Sequence, residues 1–424
     1  MVTGIGVKTP AGSDLGTFWS TVLAGRSVIG PITRFDPSGL PVRFAGEVRD
    51  FDPVTYLGQK ESRHTDRTTQ LGFAAAADAV TDAAPVISDP SRCAVVAGTG
   101  MGGIASVHAQ SLTFVERGPD RLSPYAITMI MPNATAALIA LRLGWTGPNL
   151  CLATACTSAA NAIGEGVRLI QEGSADVVLA GGTEAAVNPV GIAAFARMGA
   201  LSTRHDDPAR ASRPFDDMRD GFVLAEGAAF VVLEPSDRAA DRGARPYGEI
   251  RGYGRNSDAF DIAAPSAGGV GAISCMRLAL RDADVDPSAI SHINAHGTAT
   301  RLNDQIEAEA INKVFGADSP PVTSTKGVTG HLIGAAGAIQ VVVSLLALRH
   351  GVVPPTANFE QPDPNILIDV VGQRPRPSGP GPVLTNTFGF GGHNACLVLA
   401  RAERPHVEAP GRPAETVAAG PRET

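Results

Sequence analysis

Residues 150–181, LCLATACTSAANAIGEGVRLIQEGSADVVLAG, contain the pattern that decides the fold. An apolar strand (Leu150–Ala153) passes through a polar turn into a helix of small residues (Ala159–Gln171), and a second apolar strand follows Gly173. Apolar strands that alternate with helices are typical of sheets covered on both faces. This stretch therefore predicts an α/β layered fold.

The same layout recurs at residues 322–353, VTSTKGVTGHLIGAAGAIQVVVSLLALRHGVV. A strand and a polar turn again precede a helix (Ala335–Arg349), and Gly351 suits the end of this helix as Gly173 suits the end of the first. The repetition predicts two duplicated α/β halves, which we place at residues 1–245 and 246–403.

The other predicted strands are short apolar runs that end at glycine or another small residue. They are Val2–Val7, Cys93–Gly98, Val177–Gly181, Gly227–Glu234, His292–Ala295, Val322–Ser324, Val383–Asn386 and Ala395–Leu399, and further helices are predicted at Asp66–Val80 and Ser274–Arg281. Residues 101–145 break the rhythm and are predicted to form a cap or a dimer-forming insertion. Residues 404–424 are rich in Pro, Ala, Gly and charged residues and are predicted to be a disordered tail.

Composition excludes several classes of protein. Of the 424 residues 44% are hydrophobic and the net charge is −7, so a large core is expected and a nucleic-acid-binding protein is not. No apolar run is expected to reach the roughly 18 residues that span a bilayer, and no secretory signal is expected, so we predict a cytoplasmic protein with no membrane partner. The five cysteines are odd in number and include no CxxC pair, which argues against disulfides or a metal site.

One cysteine has a setting unlike that of the others. Cys156 follows an apolar strand and opens a helix, where the helix dipole and free backbone N–H groups favour the thiolate, the nucleophilic form. Small neighbouring residues leave room for a substrate. A buried inert cysteine is the alternative interpretation, and it is the expected state of the other four cysteines.

Two histidines and a lysine also follow predicted strands. His296 lies in NAHGTAT, with Asp304 and Glu307 following at helical spacing. Lys326 and His331 lie in STKGVTGH, where a cation beside an imidazole keeps the imidazole neutral, so that Nε2–H can donate a hydrogen bond. A phosphate-binding turn is the alternative for this second segment, although its spacing differs from that of a P-loop. Cys156 and His331 are expected to converge from pseudo-symmetric positions of the two halves.

A loop of alternating Phe and Gly, NTFGFGGHN at residues 386–394, follows another predicted strand. Glycines let backbone N–H groups approach a substrate and form an oxyanion hole. A β-turn with buried aromatic residues is the alternative interpretation.

Taken in order, TACTS, NAHGTAT, STKGVTGHLIGAAG and NTFGFGGHN resemble the β-ketoacyl-(acyl carrier protein) synthases. The likeness is to the synthase II type and to the ketosynthase α subunits of type II polyketide synthases, and it extends over about residues 1–400. It implies the thiolase fold, in which two fused α/β halves form a five-layered α-β-α-β-α core that is usually dimeric. The implied reaction is a decarboxylative condensation with malonyl-ACP in fatty acid or, as we prefer, type II polyketide (antibiotic) chain elongation.

The resemblance also implies a role for each matched residue. Cys156 takes the acyl chain from acyl carrier protein, His296 and His331 donate hydrogen bonds to the malonyl thioester carbonyl, and Lys326 tunes His331. Backbone N–H groups of Cys156 and Phe390 form the oxyanion hole. The implied substrate contacts are Thr298, Thr300, Phe388 and Gly391. No metal or redox cofactor is implied, and the implied partners are acyl carrier protein and a second subunit, either an identical chain or a chain-length factor.

Three positions depart from the family pattern. Gln340 stands where the family usually carries a Glu that pairs with the lysine of the site, Ala263 stands where a Thr helps to hold pantetheine, and His393 replaces a common Thr or Phe. These departures predict a specialised synthase rather than the housekeeping elongation enzyme.

Three alternatives share parts of the pattern. A thiolase needs a second reactive cysteine, but Cys396 lies in an apolar strand. A chalcone- or initiation-type synthase uses a Cys-His-Asn set, whereas the third group here is His296. A non-catalytic chain-length factor typically lacks the nucleophile, whereas this chain has Cys156 together with both histidines.

Overall fold

The structure of the protein is a computed structural model that describes residues 1–316 and 318–402. The strands are β1 (Val2–Lys8), β2 (Gly30–Pro31), β3 (Phe44–Ala45), β4 (Cys93–Gly98), β5 (Asn149–Leu152), β6 (Val177–Glu184), β7 (Gly227–Leu233), β8 (Glu249–Ser257), β9 (His292–Asn294), β10 (Val322–Thr323), β11 (Val352–Val353), β12 (Arg376–Pro377), β13 (Val383–Gly389) and β14 (His393–Ala400). The α-helices are α1 (Leu15–Leu23), α2 (Pro53–Ser62), α3 (Arg67–Ala83), α4 (Ile104–Arg117), α5 (Ala126–Ile130), α6 (Ala134–Leu143), α7 (Ser158–Gln171), α8 (Pro189–Arg197), α9 (Ser236–Asp241), α10 (Val270–Asp282), α11 (Arg301–Phe315), α12 (Lys326–Thr329) and α13 (Ala336–His350). The predicted tail at residues 404–424 lies outside the described residues.

Two five-stranded sheets have the same topology. Their strand orders are β1-β7-β6-β4-β5 and β8-β14-β13-β9-β10. In each sheet the last strand of the half pairs antiparallel with both of its neighbours, and the other pairs are parallel. The duplication predicted from residues 150–181 and 322–353 is therefore confirmed. The first sheet ends at Leu233 and the second begins at Glu249, on either side of the predicted division at residue 245.

Five layers result from the way helices cover these sheets. Helices α7 and α13 contact each other and lie between the two sheets, while α3 covers the outer face of the first sheet and α10 that of the second. Every residue of α13 from Ala336 to Leu348 is buried. This α-β-α-β-α order is the one that the resemblance implies.

One stretch is longer and more apolar than the sequence analysis expected. Residues Ile333–His350 form an 18-residue window with a mean hydropathy of 1.5, which is enough for a membrane span by length and composition. However, 89% of this window is buried inside the protein. It is therefore the central helix of the core, and its composition reflects burial on all sides.

Strand β8 was not predicted, because glycine and charged residues interrupt its apolar pattern. Its glycines have a packing role: a Cβ at Gly252 would lie 2.4 Å from the Ala279 carbonyl oxygen, and one at Gly254 would lie 2.4 Å from that of Cys275. Close approach to a helix therefore requires glycine at both positions. Strand β1 repeats this arrangement against α3 with Gly4 and Gly6.

Residues 101–145 contain more regular structure than was predicted. Helices α4, α5 and α6 occupy most of this range. Helix α6 contacts α3 and strand β4, so it belongs to the outer layer of the first half. A cap or dimer-forming role for the rest of the range stays a prediction.

The contact between β1 and α3 generates a prediction about stability. A Cβ at Gly6 would lie 1.9 Å from the carbonyl oxygen of Ala75, so strand and helix would have to separate. We expect Gly6→Ala to lower the free energy of unfolding by about 1–3 kcal/mol, as overpacking does. Thermal and urea unfolding followed by circular dichroism measure the change. Gly39→Ala is the control, since a Cβ at Gly39 has nothing within 4 Å; equal stability of the two variants contradicts the prediction.

Candidate active site

The structure brings Cys156, His296 and His331 together at one end of the two sheets. Their sulfur and ring nitrogen atoms all lie within 4.8 Å of one another. His331 Nε2 lies 3.2 Å from Cys156 Sγ, and the two imidazole rings meet edge to face with centroids 5.4 Å apart. All three side chains are buried. Cys156 from the first half thus meets both histidines from the second.

Hydroxyl and amide side chains hold the turn that carries Cys156. Thr157 Oγ1 donates to the Thr154 carbonyl at 2.7 Å, and Ser158 Oγ accepts the Thr154 backbone N–H at 2.9 Å. Asn161 Nδ2 donates to Thr154 Oγ1, and Tyr253 Oη donates to Asn161 Oδ1, both at 2.8 Å. Tyr253 lies on β8, so the turn of one half is fixed by a strand of the other.

The two central helices begin in the same way. A three-residue 3₁₀ turn precedes each, Ala155–Thr157 before α7 and Ile333–Ala335 before α13. The first residue of each turn has a positive φ, 52° at Ala155 and 43° at Ile333. The middle residues are therefore equivalent, so Cys156 corresponds to Gly334. The expectation that Cys156 and His331 occupy pseudo-symmetric positions was wrong, although the two side chains do meet.

Burial decides the protonation state of Cys156. Loss of solvation raises the pKa of the Cys156 thiol to about 12, although the charge of Lys326 and the backbone N–H groups of Phe390 and Cys156 lower it. The sequence analysis expected the helix N-terminus to favour the thiolate. Those N–H groups do act in that direction, but desolvation outweighs them. The resting site therefore holds a thiol.

Backbone geometry fixes the tautomer of His331. The N–H of Ile333 donates to His331 Nδ1 at 3.2 Å, so Nδ1 is the acceptor nitrogen of the ring. Burial, and then the charge of Lys326, lowers the pKa of His331 well below its ordinary value, so the ring is neutral. A neutral imidazole with an acceptor at Nδ1 carries its proton on Nε2. This Nε2–H points toward Cys156 and the space beside it.

A buried carboxylate holds the loop that carries His296. The backbone N–H groups of His296 and Gly297 donate to the two oxygens of Glu307 at 2.8 and 2.7 Å. Asp304 accepts the N–H of Ala299 at 3.2 Å in the same loop. These two acidic residues, from the first turns of α11, therefore hold the end of the strand in place. Their helical spacing in the sequence is consistent with this arrangement. Burial lowers the pKa of His296 well below its ordinary value, and Lys326 adds to this effect.

Lys326 is buried behind the histidines. Its Nζ donates to the carbonyl oxygen of His296 and, at 3.4 Å, to Oε1 of Gln340. Burial lowers the pKa of Lys326 to about 8, whereas the negative charge of Glu307 acts to raise it. Burial in turn raises the pKa of Glu307 to about 7. The carboxylate that offsets the lysine charge therefore comes from α11 rather than from position 340.

Gln340 uses its amide nitrogen where a glutamate could not. Nε2 lies 3.1, 2.9 and 2.8 Å from the carbonyl oxygens of Asn294, Ala295 and Asn386. Asn294 ends β9 and Ala295 follows it toward His296, while Asn386 lies within β13, which leads to Phe388. A carboxylate has no N–H to donate to these oxygens, so the departure noted in the sequence fits its surroundings.

The Phe-Gly loop contributes through its first part. Phe388 lies edge to face against His296 with ring centroids 6.0 Å apart, and a Cβ at Gly389 would lie 3.1 Å from the backbone nitrogen of Cys156. Phe390 is 36% exposed and its backbone N–H reaches the Cys156 thiol. Gly391 is placed differently, because its N–H donates to the Ile262 carbonyl at 2.7 Å. The Gly391 amide therefore binds a neighbouring loop rather than the reacting groups.

The remaining predicted residues lie around this cluster. The hydroxyl oxygens of Thr298 and Thr300 are 3.0 Å apart, and Thr300 also caps α11 by accepting the Asn303 N–H at 3.3 Å. Ala263 is exposed, and its N–H donates to Asp261 Oδ1 at 2.8 Å. Thr298 is buried, so of the two threonines Thr300 is the more accessible.

The cysteine and two histidines are residue types that also hold zinc. Protonation opposes a metal here, because the bond from Ile333 to His331 Nδ1 leaves the proton on Nε2 and no lone pair there for a metal. The donor set therefore fits hydrogen-bond donation better than metal coordination. The expected absence of a metal stays a prediction.

Family models match both halves. Residues 1–239 match the β-ketoacyl synthase N-terminal domain, and residues 247–360 match the β-ketoacyl synthase C-terminal domain. The chain belongs to the β-ketoacyl synthase family. The predicted family and the predicted enzyme class, an acyltransferase of the ketosynthase type, are thereby confirmed.

Similar proteins support this assignment over nearly the whole length of the chain. A curated relative from Synechocystis, 3-oxoacyl-[acyl-carrier-protein] synthase 2, is 44% identical over 95% of this chain and 97% of its own. A solved structure, the ishigamide ketosynthase/chain length factor, aligns with a TM-score of 0.89 at 34% identity, covering 95% of this chain and 98% of that one. A type II polyketide ketosynthase in complex with its acyl-carrier protein aligns with a TM-score of 0.87 at 30% identity, covering 95% and 98%. The thiolase fold is confirmed.

The site also contains residues that the sequence analysis did not select. Phe222 packs edge to face on His331 with centroids 5.3 Å apart, and it comes from an irregular segment before β7. Glu184 is the last residue of β6, a strand that is buried along its whole length. An acidic residue that ends a buried strand was the available signal for Glu184, whereas no local signal identifies Phe222.

The raised pKa of Cys156 generates a prediction about pH. Since the thiol has a pKa of about 12, only a small thiolate fraction exists near neutral pH, and that fraction grows tenfold per pH unit. We expect alkylation of Cys156 by iodoacetamide to accelerate about tenfold per pH unit from roughly pH 7 to pH 10. Peptide mass mapping separates it from Cys151, and Cys156→Ala supplies the background. A rate that levels off near pH 8.5 contradicts the prediction.

Proposed function

We propose that this β-ketoacyl synthase condenses malonyl-ACP with an acyl group carried on Cys156. The Cys156 thiol attacks the acyl-ACP thioester, its sulfur takes the acyl group, and the proton leaves with the thiol of the carrier protein. The observation that carries this proposal is the convergence of Cys156 Sγ with both histidine rings within 4.8 Å. The family match shows the reaction class, and the residue roles are the proposal.

The second step uses the two histidines as hydrogen-bond donors. Malonyl-ACP loses CO₂, and its thioester carbonyl becomes an enolate whose oxygen accepts hydrogen bonds from His296 and from His331 Nε2–H. The low pKa values of both rings support this role, because neutral imidazoles donate hydrogen bonds without releasing the proton. The enolate carbon then attacks the acyl carbonyl on Cys156. The thiolate leaves, takes up one proton, and β-ketoacyl-ACP is released.

Backbone N–H groups would stabilise the oxyanion of that attack. The N–H groups of Cys156 and Phe390 both act on the Cys156 sulfur, so a carbonyl oxygen bonded beside that sulfur lies near them. Lys326 is a positioning residue, because it binds the His296 carbonyl and its charge adds to burial in lowering the pKa of both rings. Thr298, Thr300 and Phe388 are proposed to contact the pantetheine arm and the malonyl group. The step balances with no redox cofactor or metal, and we propose none.

The decisive experiment follows the acyl group by mass. We expect the purified protein, given acyl-ACP, to gain one acyl mass that Cys156→Ala does not gain. Added malonyl-ACP should discharge this adduct to β-ketoacyl-ACP with release of CO₂. Replacing either His296 or His331 with Ala should lower CO₂ release by about 10²-fold or more while the adduct still forms, since loss of one oxyanion donor costs about that much.

A folded protein that forms no adduct with several chain lengths, even when a chain-length factor is supplied, overturns the proposal. The alternative is then the non-catalytic partner role of a chain-length factor. The products also distinguish the two pathways. A short or medium acyl chain with one β-keto group indicates fatty acid elongation, and a poly-β-ketone indicates polyketide elongation. Relatives with both descriptions are similar to this chain.

We also propose that a second subunit of the same fold covers the face around β5. Strand β5 lies at the edge of the first sheet, and Leu150 on it is 41% exposed. Large apolar side chains of α4 to α6 are exposed nearby: Val107, Leu112, Phe114, Val115, Ile127 and Leu141. An open strand edge beside apolar side chains is typical of a subunit interface. Two of the similar solved structures are those of a ketosynthase with a chain length factor.

Light scattering after size exclusion tests this face. We expect twice the mass of the chain for the purified protein, or for the protein with a chain-length factor, and the mass of one chain for Leu141→Asp. Leu141 is 76% exposed, so the substitution has little reason to unfold a single chain. Leu367→Asp is the control, because Leu367 is 72% exposed outside this face. A double mass that persists in Leu141→Asp places the interface elsewhere.

Acyl carrier protein is the proposed substrate carrier, and the cytoplasm is the proposed location. Five free cysteines among the described residues suit a reducing compartment. Each malonyl and acyl group is expected to reach Cys156 on a phosphopantetheine arm.

A further inference from the structure

Glu184 is a buried acidic residue that the condensation scheme does not use. It is the last residue of β6 and has no exposed surface. Its carboxylate accepts hydrogen bonds from Thr99 Oγ1 at 3.2 Å, from Gly100 N at 2.7 Å and from Met101 N at 3.3 Å. It also accepts the backbone N–H of Gly334 at 3.1 Å. A single carboxylate therefore joins a loop of the first half to the turn before α13 of the second.

No lysine or arginine of the described chain forms an ion pair with this carboxylate. Its partners are three backbone N–H groups and one hydroxyl, which offset the cost of burial only in part. Burial accordingly raises the pKa of Glu184 to about 7. A buried carboxylate without a cation is costly, so its position calls for a reason beyond packing.

Glycine at two positions makes room for this carboxylate. A Cβ at Gly100 would lie 2.7 Å from Glu184 Oε2, and a Cβ at Gly334 would lie 2.8 Å from the same oxygen. Both halves thus bring backbone, without side chains, to the carboxylate. The close approach is what allows direct hydrogen bonds between the carboxylate and both segments.

The turn held by Glu184 also sets the proton of His331. Gly334 directly follows Ile333, whose own N–H donates to His331 Nδ1 at 3.2 Å. The orientation of the Ile333 peptide therefore decides whether Nε2 carries the hydrogen that faces Cys156. On the other side, Met101 packs in the same apolar cluster as Cys156 and Ile333.

We propose that Glu184 is a positioning residue for the condensation, which acts by holding the Ile333–Gly334 turn so that the Ile333 N–H keeps His331 in its Nε2–H tautomer. This inference rests on the proposed role of His331. Glu184 does not touch the substrate, and its effect on the reaction passes through His331. Loss of Glu184 therefore slows the step that needs His331 as a donor, the decarboxylation of malonyl-ACP.

A double-mutant cycle tests this route. Glu184→Leu removes all four acceptor bonds at similar volume, and His331→Ala removes the donor. We expect Glu184→Leu to lower CO₂ release from malonyl-ACP at least tenfold, with KM for malonyl-ACP within about twofold, because the tautomer matters most in the transition state. In the His331→Ala background the same substitution should lower CO₂ release less than twofold. A residue with a purely structural role gives the same factor in both backgrounds.

Glu234→Gln is the matched control. Glu234 is also buried, but it follows β7 and pairs with Arg242 and Thr3 at the opposite end of the first sheet. Its effect, if any, should be equal with and without His331. Circular dichroism and the Cys156 acyl adduct show whether each variant is folded.

Glu184→Gln keeps the test decisive if Glu184→Leu does not fold. An amide can accept from Gly100 and Gly334 through its oxygen, but its NH₂ group faces the Met101 N–H, which loses its acceptor. We expect about a threefold loss of CO₂ release that again disappears in His331→Ala. Equal losses in both backgrounds, or no loss, overturn the inference. Absence of CO₂ release from the unaltered protein overturns the proposed function instead.

Discussion

The hydrogen bond from the Ile333 N–H to His331 Nδ1 is the interaction on which the proposed chemistry depends. This bond determines which ring nitrogen carries the proton. Because Nδ1 is the acceptor, Nε2 is the donor nitrogen, and it lies 3.2 Å from Cys156 Sγ. Burial then keeps the ring neutral. The backbone of Leu332, with φ −85° and ψ 21°, turns this N–H back toward the histidine. A side chain two residues away thus receives its chemical role from the main chain.

Charge is distributed so that few ions face the substrates. Lys326, Glu307 and Asp304 are charged groups beside the loop of His296, and all three are buried, so burial shifts the pKa of each toward its neutral form. Gln340 contributes dipoles instead of a further charge, and its Nε2 lies within 3.1 Å of three carbonyl oxygens on or just after β9 and on β13. Fixed dipoles need no reorganisation when an enolate forms beside them. The use of fixed dipoles in place of charges therefore explains both the low charge of the site and its rigidity.

Sequence patterns predicted the layers and the site residues to different extents. The repeated strand-turn-helix segments predicted the duplicated halves because each copy is local and continuous. Strand β8 was not predicted, since Gly252 and Gly254 serve close helix packing and carry no apolar signal. Likewise, no local pattern shows that Glu184 reaches Gly334, which is 150 residues away along the chain. The helix dipole at Cys156 was recognised, but its competition with desolvation depends on burial that only the fold supplies.

The equivalence of Cys156 and Gly334 has a consequence for the history of the molecule. Duplication produced two turns of one kind, each at the start of a central helix. At the second turn a Cβ would lie 2.3 Å from the backbone nitrogen of Gly100, so no nucleophilic side chain fits there. The two turns have thus diverged. The first carries Cys156, and the second donates backbone N–H groups to His331 and Glu184. The turn before α13 therefore offers no counterpart to Cys156 in spite of the internal symmetry, and a substitution at position 334 alone cannot supply one, because the space for its Cβ is occupied.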